Sequence, residues 1–138
     1  GQPPQGERVI SPEVARQVRQ MLETVTAPGG TAPQAQVMGY RVGGKTGTAW
    51  KHTGRGYDRS KYRASFIGLA PMSNPRIIVA VSVDEPTVGN RYGGGAAGPV
   101  FSQIMGGALR ALNVPPDSPV RQLVMTPDVP EEPVGGLQ

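Results

Sequence analysis

The sequence predicts an α+β unit in which an antiparallel sheet is flanked by helices, and three observations predict it. Two segments carry apolar residues at helical spacing, one ahead of the sheet and one after it. Between them lie three runs rich in β-branched residues and bounded by Gly, Pro, Asn and Asp. The turns joining those runs are shorter than the crossover of about a dozen residues that parallel neighbours require.

The first helix is expected in VISPEVARQVRQMLETVTAPGG. Ser11 suits the N-cap, Pro12 the first helical position, and Glu13 the positive end of the helix dipole. Val14, Val18, Met21, Leu22 and Val25 form one apolar stripe, which predicts a face turned to the core. Ala27-Pro28-Gly29-Gly30 ends the helix. A first strand is expected from about Val42 to Lys51, a loop over HTGRGYDRSK, and a second strand over YRASFIGLAP. MSNP makes a turn into a third strand, RIIVAVSVDEP, closed by Pro86. GNRYGGGAAGP reads as a glycine-rich loop, and PVFSQIMGGALRALNV as a second helix. Its buried face is expected at Phe101, Ile104, Met105, Ala108, Leu109 and Leu112. Gly106 and Gly107 weaken that helix by roughly 1 kcal/mol each relative to Ala, and are expected to let its backbone lie close against the sheet. One folded unit over 1–114 and a Pro-rich, acidic tail over 115–138, disordered or lying along the surface, complete the organisation.

Composition narrows the chemistry. The 138 residues hold 20 Gly and 15 Pro, but these cluster between periodic segments, which favours a folded body. A net charge of +4 suits nucleic acid, an anionic membrane or an acidic polymer without choosing among them. With no Cys and a single His, disulfides, thiolate catalysis and a zinc centre are disfavoured, and no cofactor is expected. No apolar run approaches the roughly 20 residues that span a bilayer, and no signal peptide opens the segment. Any membrane anchor is expected outside it.

The most informative stretch is GYRVGGKTGTAW, Gly39 to Trp50, which fits two motifs. Gly39 through Thr46 matches G-x-x-x-x-G-K-[ST], a nucleotide-phosphate loop, and IIVAVSVDE resembles the strand whose Asp holds magnesium in such hydrolases. That loop must follow a buried strand and open into a helix at Lys45. TAPQAQVM upstream is too polar for such a strand, and Gly47, Thr48, Thr53, Gly54 and Gly56 oppose the helix. Lys45 through Gly47 also reads K-T-G, a motif of serine acyl-transfer enzymes. On an exposed strand edge, Gly47 lets a ligand backbone approach, Lys45 supplies positive charge, and the hydroxyls of Thr46 and Thr48 share a face. Such a face suits a peptide's terminal carboxylate. A third reading is a basic nucleic-acid-binding module, from Lys51, Arg55, Arg59, Lys61 and Arg63 interleaved with Tyr57 and Tyr62, although loop charges are usually just solvated. His52 is expected to be exposed. Asp84 and Glu85, adjacent on a strand, are expected on opposite faces and so not as an acid/base pair.

K-T-G alone is weak, but the sequence around it is specific. RVISPEVARQVRQMLETVT, GGTAPQAQVMGYRVGGKTGTAWK, YDRSKYRASFIGLAPMSNPRIIVAVSVDEPT and YGGGAAGPVFSQIMGGALRALNVPP together resemble the C-terminal part of a class B penicillin-binding protein, the division-type (septal) peptidoglycan D,D-transpeptidase. The resemblance runs from about Arg8 to Pro116.

It implies part of the penicillin-binding-protein transpeptidase and serine β-lactamase-like fold, with K-T-G on the strand lining the cleft of a five-stranded sheet. It implies that a serine in S-x-x-K attacks the penultimate D-Ala carbonyl of a stem peptide, and that β-lactams acylate the same serine. By position, Lys45 would join the hydroxyl network of the second motif and attract the substrate carboxylate. Thr46 and Thr48 would bond that carboxylate, Gly47 would give access, the Thr48 backbone N–H would form half of the oxyanion hole, and Tyr92 would wall the ligand. The implied partners are the D-Ala-D-Ala stem peptide, β-lactams, the rest of the domain and other division proteins, with no nucleic acid. The implied place is the periplasmic face of the bacterial inner membrane. Neither S-x-x-K nor S-x-N occurs in these residues, so this chain alone is expected to be inactive, and its apolar stripes to lie partly exposed until the rest of the domain covers them. Trp50 stands where the family more often has a polar or basic residue.

Overall fold

The structure, a computed structural model, describes residues 6–87, 89 and 91–118. Its elements run α1 (Pro12–Thr24), a 3-10 turn at Pro33–Ala35, β1 (Gly43–His52), β2 (Tyr57–Ala70), β3 (Ile77–Asp84), a π-helical turn at Gly93–Ala97, and α2 (Gly98–Ala111). The glycine-rich stretch before α2 is therefore helical over its second half. The sheet is antiparallel in the order β1-β2-β3, as the short turns required.

α1 starts where its cap predicts, with Ser11 Oγ accepting from the Val14 N–H at 3.2 Å. Its stripe is not core among the described residues. No residue of the helix is buried, and Val14, Val18 and Met21 are 43%, 42% and 67% exposed. The helix is held by its C-terminal end. Glu23 takes a bidentate pair from Arg41 at 2.6 and 2.7 Å, and the buried Thr26 hydroxyl donates to Val42 O at 2.6 Å.

Register assigns the two faces of the sheet. Thr46 pairs with Phe66 and Phe66 with Val81, all on the face covered by α2. Phe66, Phe101, Met105 and Leu109 are fully buried, and the two phenyl rings meet edge-to-face at 4.7 Å. Each such side chain contributes roughly 1.5–3 kcal/mol by leaving water. The close approach of helix and sheet falls at Gly68, where a Cβ would lie 2.6 Å from Phe101 Cζ. The expectation for α2 needs correcting on this point. Gly106 faces Val37 ahead of β1, and Gly107 has nothing within 4 Å. Ile104 and Leu112 are 49% and 66% exposed, so the buried stripe narrows to Phe101, Met105 and Leu109.

The opposite face carries Lys45 opposite Ile67, with Leu69 beside Ile78 one pair along. Ile67 and Ile78 are 55% and 73% exposed.

The expected loop over 52–61 is mostly strand. Thr53 N–H bonds Gly56 O at 2.9 Å in a tight turn, His52 pairs with Tyr57 and Lys51 with Asp58. The next pair is Trp50 with Tyr62, so residues 59–61 bulge out of the ladder. Asp58 Oδ1 holds that bulge by accepting from Ser60 N and Oγ at 2.9 and 2.6 Å. β3 stops at Asp84 because Glu85 turns to a positive φ of 47°. That turn breaks strand alternation, and both carboxylates reach Lys51 Nζ, at 2.9 and 2.7 Å. The opposite-face reading of Asp84 and Glu85 is corrected accordingly.

After α2, Val114 is buried again and its carbonyl accepts from Tyr40 Oη at 2.6 Å. The Asp117 carboxylate accepts from the backbone N–H of Arg41 and Ser73 at 2.7 and 3.0 Å, so residues 115–118 follow the surface. The rest of the expected tail, 119–138, lies outside the described residues.

Candidate active site

Lys45, Thr46, Gly47 and Thr48 lie in mid-β1 as extended backbone. The phosphate-loop reading needs a helix beginning at Lys45, and the strand overturns it. Among the described residues β1 pairs only with β2, so within them its outer edge is unpaired and alternate residues present N–H and C=O there.

Alternation sends Lys45 and Gly47 to the open face and Thr46 and Thr48 to the face toward α2. Lys45 is exposed, and its ammonium donates to Thr46 O at 3.2 Å. The shared face of the two threonines holds, and it is a sheltered one. Thr46 is 9% exposed with its Oγ1 3.4 Å from Thr31 Oγ1, in the loop that follows α1. Thr48 Oγ1 accepts from the Gly93 N–H at 3.0 Å. That bond uses a lone pair and leaves the threonine proton to donate elsewhere.

Two glycines make this packing possible. A Cβ on Gly47 would lie 2.5 Å from Ser65 Oγ, which donates to Gly47 O at 3.3 Å. A Cβ on Gly93 would fall 2.6 Å from Ser65 O, 2.7 Å from Gly47 O and 3.0 Å from Gly47 N. The turn after β3 is thus pressed directly on the backbone of the K-T-G strand.

Tyr92, immediately before that turn, is half-buried and meets Tyr62 edge-to-face at 5.9 Å. Tyr62 is the ladder partner of Trp50, Arg91 stands 5.7 Å above Tyr62, and Arg59 stands 5.0 Å above Trp50. Trp50 therefore packs beneath the bulge of the β1–β2 hairpin, and its Nε1 is buried without a hydrogen-bond partner among the described residues. The structure sets Gly47 and Thr48 of mid-β1 against the Gly93 turn, with Tyr92 just before that turn packed on Tyr62 of β2 and Lys45 on the opposite, open face.

Other sequence candidates stand apart. His52 is exposed at the hairpin end. Lys51 is clamped by Glu85 and Asp84, which raise its pKa, and the Lys51 ammonium lowers that of Asp84. Arg63 also approaches Asp84, at 3.5 Å, so part of the basic stretch is neutralised in place. Among the described residues no group of three His, Cys, Asp or Glu is placed to hold a metal. Sequence reasoning missed Thr31, Ser65 and Gly93. Their places depend on tertiary approach, and only the glycine of the YGGG run carried a local signal.

Residues 1–106 match the family model described as the penicillin binding protein transpeptidase domain. The chain is 50% identical over 117 residues to the probable peptidoglycan D,D-transpeptidase PenA of Neisseria gonorrhoeae, covering 85% of this chain and 20% of that protein. Over 116 residues it is 44% identical to the peptidoglycan D,D-transpeptidase FtsI of Escherichia coli K12, covering 84% of this chain and 20% of that one. Among solved structures, the apo transpeptidase domain of Burkholderia pseudomallei penicillin-binding protein 3 superposes with a TM-score of 0.78 at 68% identity, covering 86% of this chain and 36% of that chain. The chain therefore spans about a fifth of the length of the curated relatives it matches.

Proposed function

Because the chain belongs to the penicillin-binding protein transpeptidase family, we infer that it furnishes the substrate-binding strand of a peptidoglycan D,D-transpeptidase of the septal type. The observation that carries this reading is the free edge of β1, with Lys45 exposed on one face and Thr48 held by Gly93 on the other.

An acyl-donor stem peptide ending in D-Ala-D-Ala adds to that edge as a further strand, with Gly47 giving its backbone room. Lys45 draws the terminal carboxylate, and the hydroxyls of Thr46 and Thr48 donate to it. A serine of an S-x-x-K motif, outside these residues, attacks the penultimate carbonyl. The oxyanion that forms is met by the Thr48 N–H and by the serine's own N–H, a contribution of roughly 10²–10³ in rate per donor. Expulsion of the terminal D-Ala leaves an acyl-serine, and an amine of a neighbouring stem takes the acyl group to complete the crosslink and free the serine. β-Lactams enter the same cycle as mimics of the peptide end and stall at the acyl-serine. Tyr92 closes the ligand's flank. The reaction takes place on the periplasmic face of the inner membrane, beside other division proteins.

The test is fluorescent-penicillin labelling of the complete transpeptidase that contains this chain. Lys45→Ala is expected to abolish labelling of a folded protein, and Thr48→Pro, which removes the N–H donor, to slow it by about 10² or more. Labelling of Lys45→Ala at the wild-type rate would overturn the assignment.

A further inference from the structure

Ser65 of β2 and Gly47 of β1 are ladder partners. Both side-chain positions fall on the face opposite α2, where Ser65 Oγ donates to Gly47 O at 3.3 Å. The hydroxyl has room to do so only because Gly47 lacks a Cβ. One built there would stand 2.5 Å from Ser65 Oγ, but an ordinary 3.9 Å from Ser65 Cβ. The glycine of K-T-G therefore serves the strand behind it as well as a ligand in front of it.

The carbonyl that Ser65 binds belongs to the peptide group whose other end is the Thr48 N–H. That group is planar and trans, so its oxygen and its hydrogen point in opposite directions. The oxygen lies between the two strands, since a single point, the Cβ position of Gly93, is 2.7 Å from Gly47 O and 2.6 Å from Ser65 O. The Thr48 N–H consequently points to the other side of β1, away from β2. Contacts from both faces fix this one peptide plane. Gly93 presses on it from the α2 side and donates its N–H to Thr48 Oγ1 at 3.0 Å. Ser65 Oγ bonds it from the opposite side. A hydrogen bond accepted by a peptide oxygen also polarises the group and strengthens its N–H as a donor, by about 10–30%.

We propose that Ser65 is a positioning residue for the oxyanion hole: its hydroxyl, bound to Gly47 O, holds the Gly47–Thr48 peptide plane and strengthens the Thr48 N–H, a role that rests on the reading of that N–H as an oxyanion donor. The oxyanion exists only once the carbonyl has been attacked. Ser65 therefore acts on the acylation step, and not on capture of the terminal carboxylate by Lys45, Thr46 and the Thr48 hydroxyl. A donor worth about 10²–10³ in rate, weakened by about 10–30% of its free energy, loses about two- to eightfold.

The experiment follows penicillin acylation of the complete transpeptidase by stopped flow, separating the binding constant from the first-order acylation rate, with a thermal melt to show that each variant is folded. Ser65→Ala should lower the acylation rate about two- to eightfold and leave the binding constant unchanged. Ser65→Thr, which keeps the hydroxyl, should restore the rate, and Ser65→Val, of the same shape without it, should not. The coupling is read by replacing the Gly47–Thr48 amide with an ester, which removes the N–H and keeps the threonine side chain. The ester alone should slow acylation by about 10² or more, and Ser65→Ala should then cost nothing further. A Ser65→Ala enzyme that acylates at the wild-type rate, loses affinity instead of rate, or is slowed equally in the ester background would overturn the proposal and leave the Thr48 assignment standing. An ester enzyme that acylates at the wild-type rate would overturn that assignment, and the role of Ser65 with it.

Discussion

Replacing Gly93 with Ala puts a methyl group into the backbone that carries the site. Ordinary Cβ contacts begin near 3.4 Å and almost none fall below 3.0 Å, whereas this Cβ would stand 2.6 Å from Ser65 O and 2.7 Å from Gly47 O. The neighbours are ladder atoms, not side-chain tips, so no rotamer change relieves the contact. The turn and β1 must separate by about 0.4–0.8 Å, which stretches the Gly93–Thr48 hydrogen bond. Overpacking costs about 1–3 kcal/mol, and weakening that bond adds about 0.5–1.5 kcal/mol. Catalytic groups tolerate about 0.5 Å of misplacement, and about 1 Å costs on the order of 10² in rate. G93A in the complete transpeptidase should therefore acylate with fluorescent penicillin about 10- to 100-fold more slowly. Its melting temperature should fall by several degrees, at about 2–4 °C per kcal/mol for a domain of 150–250 residues. Gly107→Ala is the control, because its Cβ meets nothing within 4 Å and alanine favours a helix by up to about 1 kcal/mol. A G93A protein that acylates and melts like the wild type would refute the argument that the turn sets the position of Thr48.

Three further outcomes follow from the same structure. Phe101→Ala, at a fully buried ring in edge-to-face contact with Phe66, should cost about 3–5 kcal/mol in denaturant unfolding, and a loss under 1 kcal/mol would contradict the core assignment. Thr26→Val keeps the side-chain shape but leaves Val42 O without its 2.6 Å donor, an expected loss of about 1–3 kcal/mol in the same assay. The hydrogen bond from Lys51 holds the Asp84 carboxyl below its ordinary value of 3.8. The ionised pair therefore stabilises the fold above that value and ceases to as pH falls through the depressed one. Lys51→Ala should move the Asp84 midpoint upward in a carboxyl NMR titration, and an unmoved midpoint would show that the pair does not form.

What was legible in the sequence followed from local physics. Ser11 and Pro12 mark the start of α1 to the residue, and β-branched runs mark β1 and β3 within two residues of their ends. The glycines and threonines around K-T-G oppose a helix, and the structure has a strand there. The misses arise where tertiary contacts override local chemistry. Asp58, Arg59, Ser60 and Lys61 have turn composition, yet Tyr57 and Asp58 pair across the ladder and the remainder bulges. Glu85 belongs to no strand because of one positive φ, which no periodicity announces. The α1 stripe has the correct spacing for a buried face, but spacing does not say which part of a domain does the burying. Thr31 and Ser65 were invisible as site residues, since a lone hydroxyl in a loop or strand acquires a role only from what folds against it.

The three strands pair in the order in which they occur, and among the described residues no ladder pair joins positions more than 26 apart, the span of Gly43 and Leu69. Closing loops of that size costs little extra entropy per added residue, and local pairings are those that form fastest. The tight turn at Thr53–Gly56 begins one zipper and Met72–Asn74 the next, each on a timescale of about 1–10 μs. The register of the lysine-bearing strand is thus fixed by pairings that lie close together in sequence.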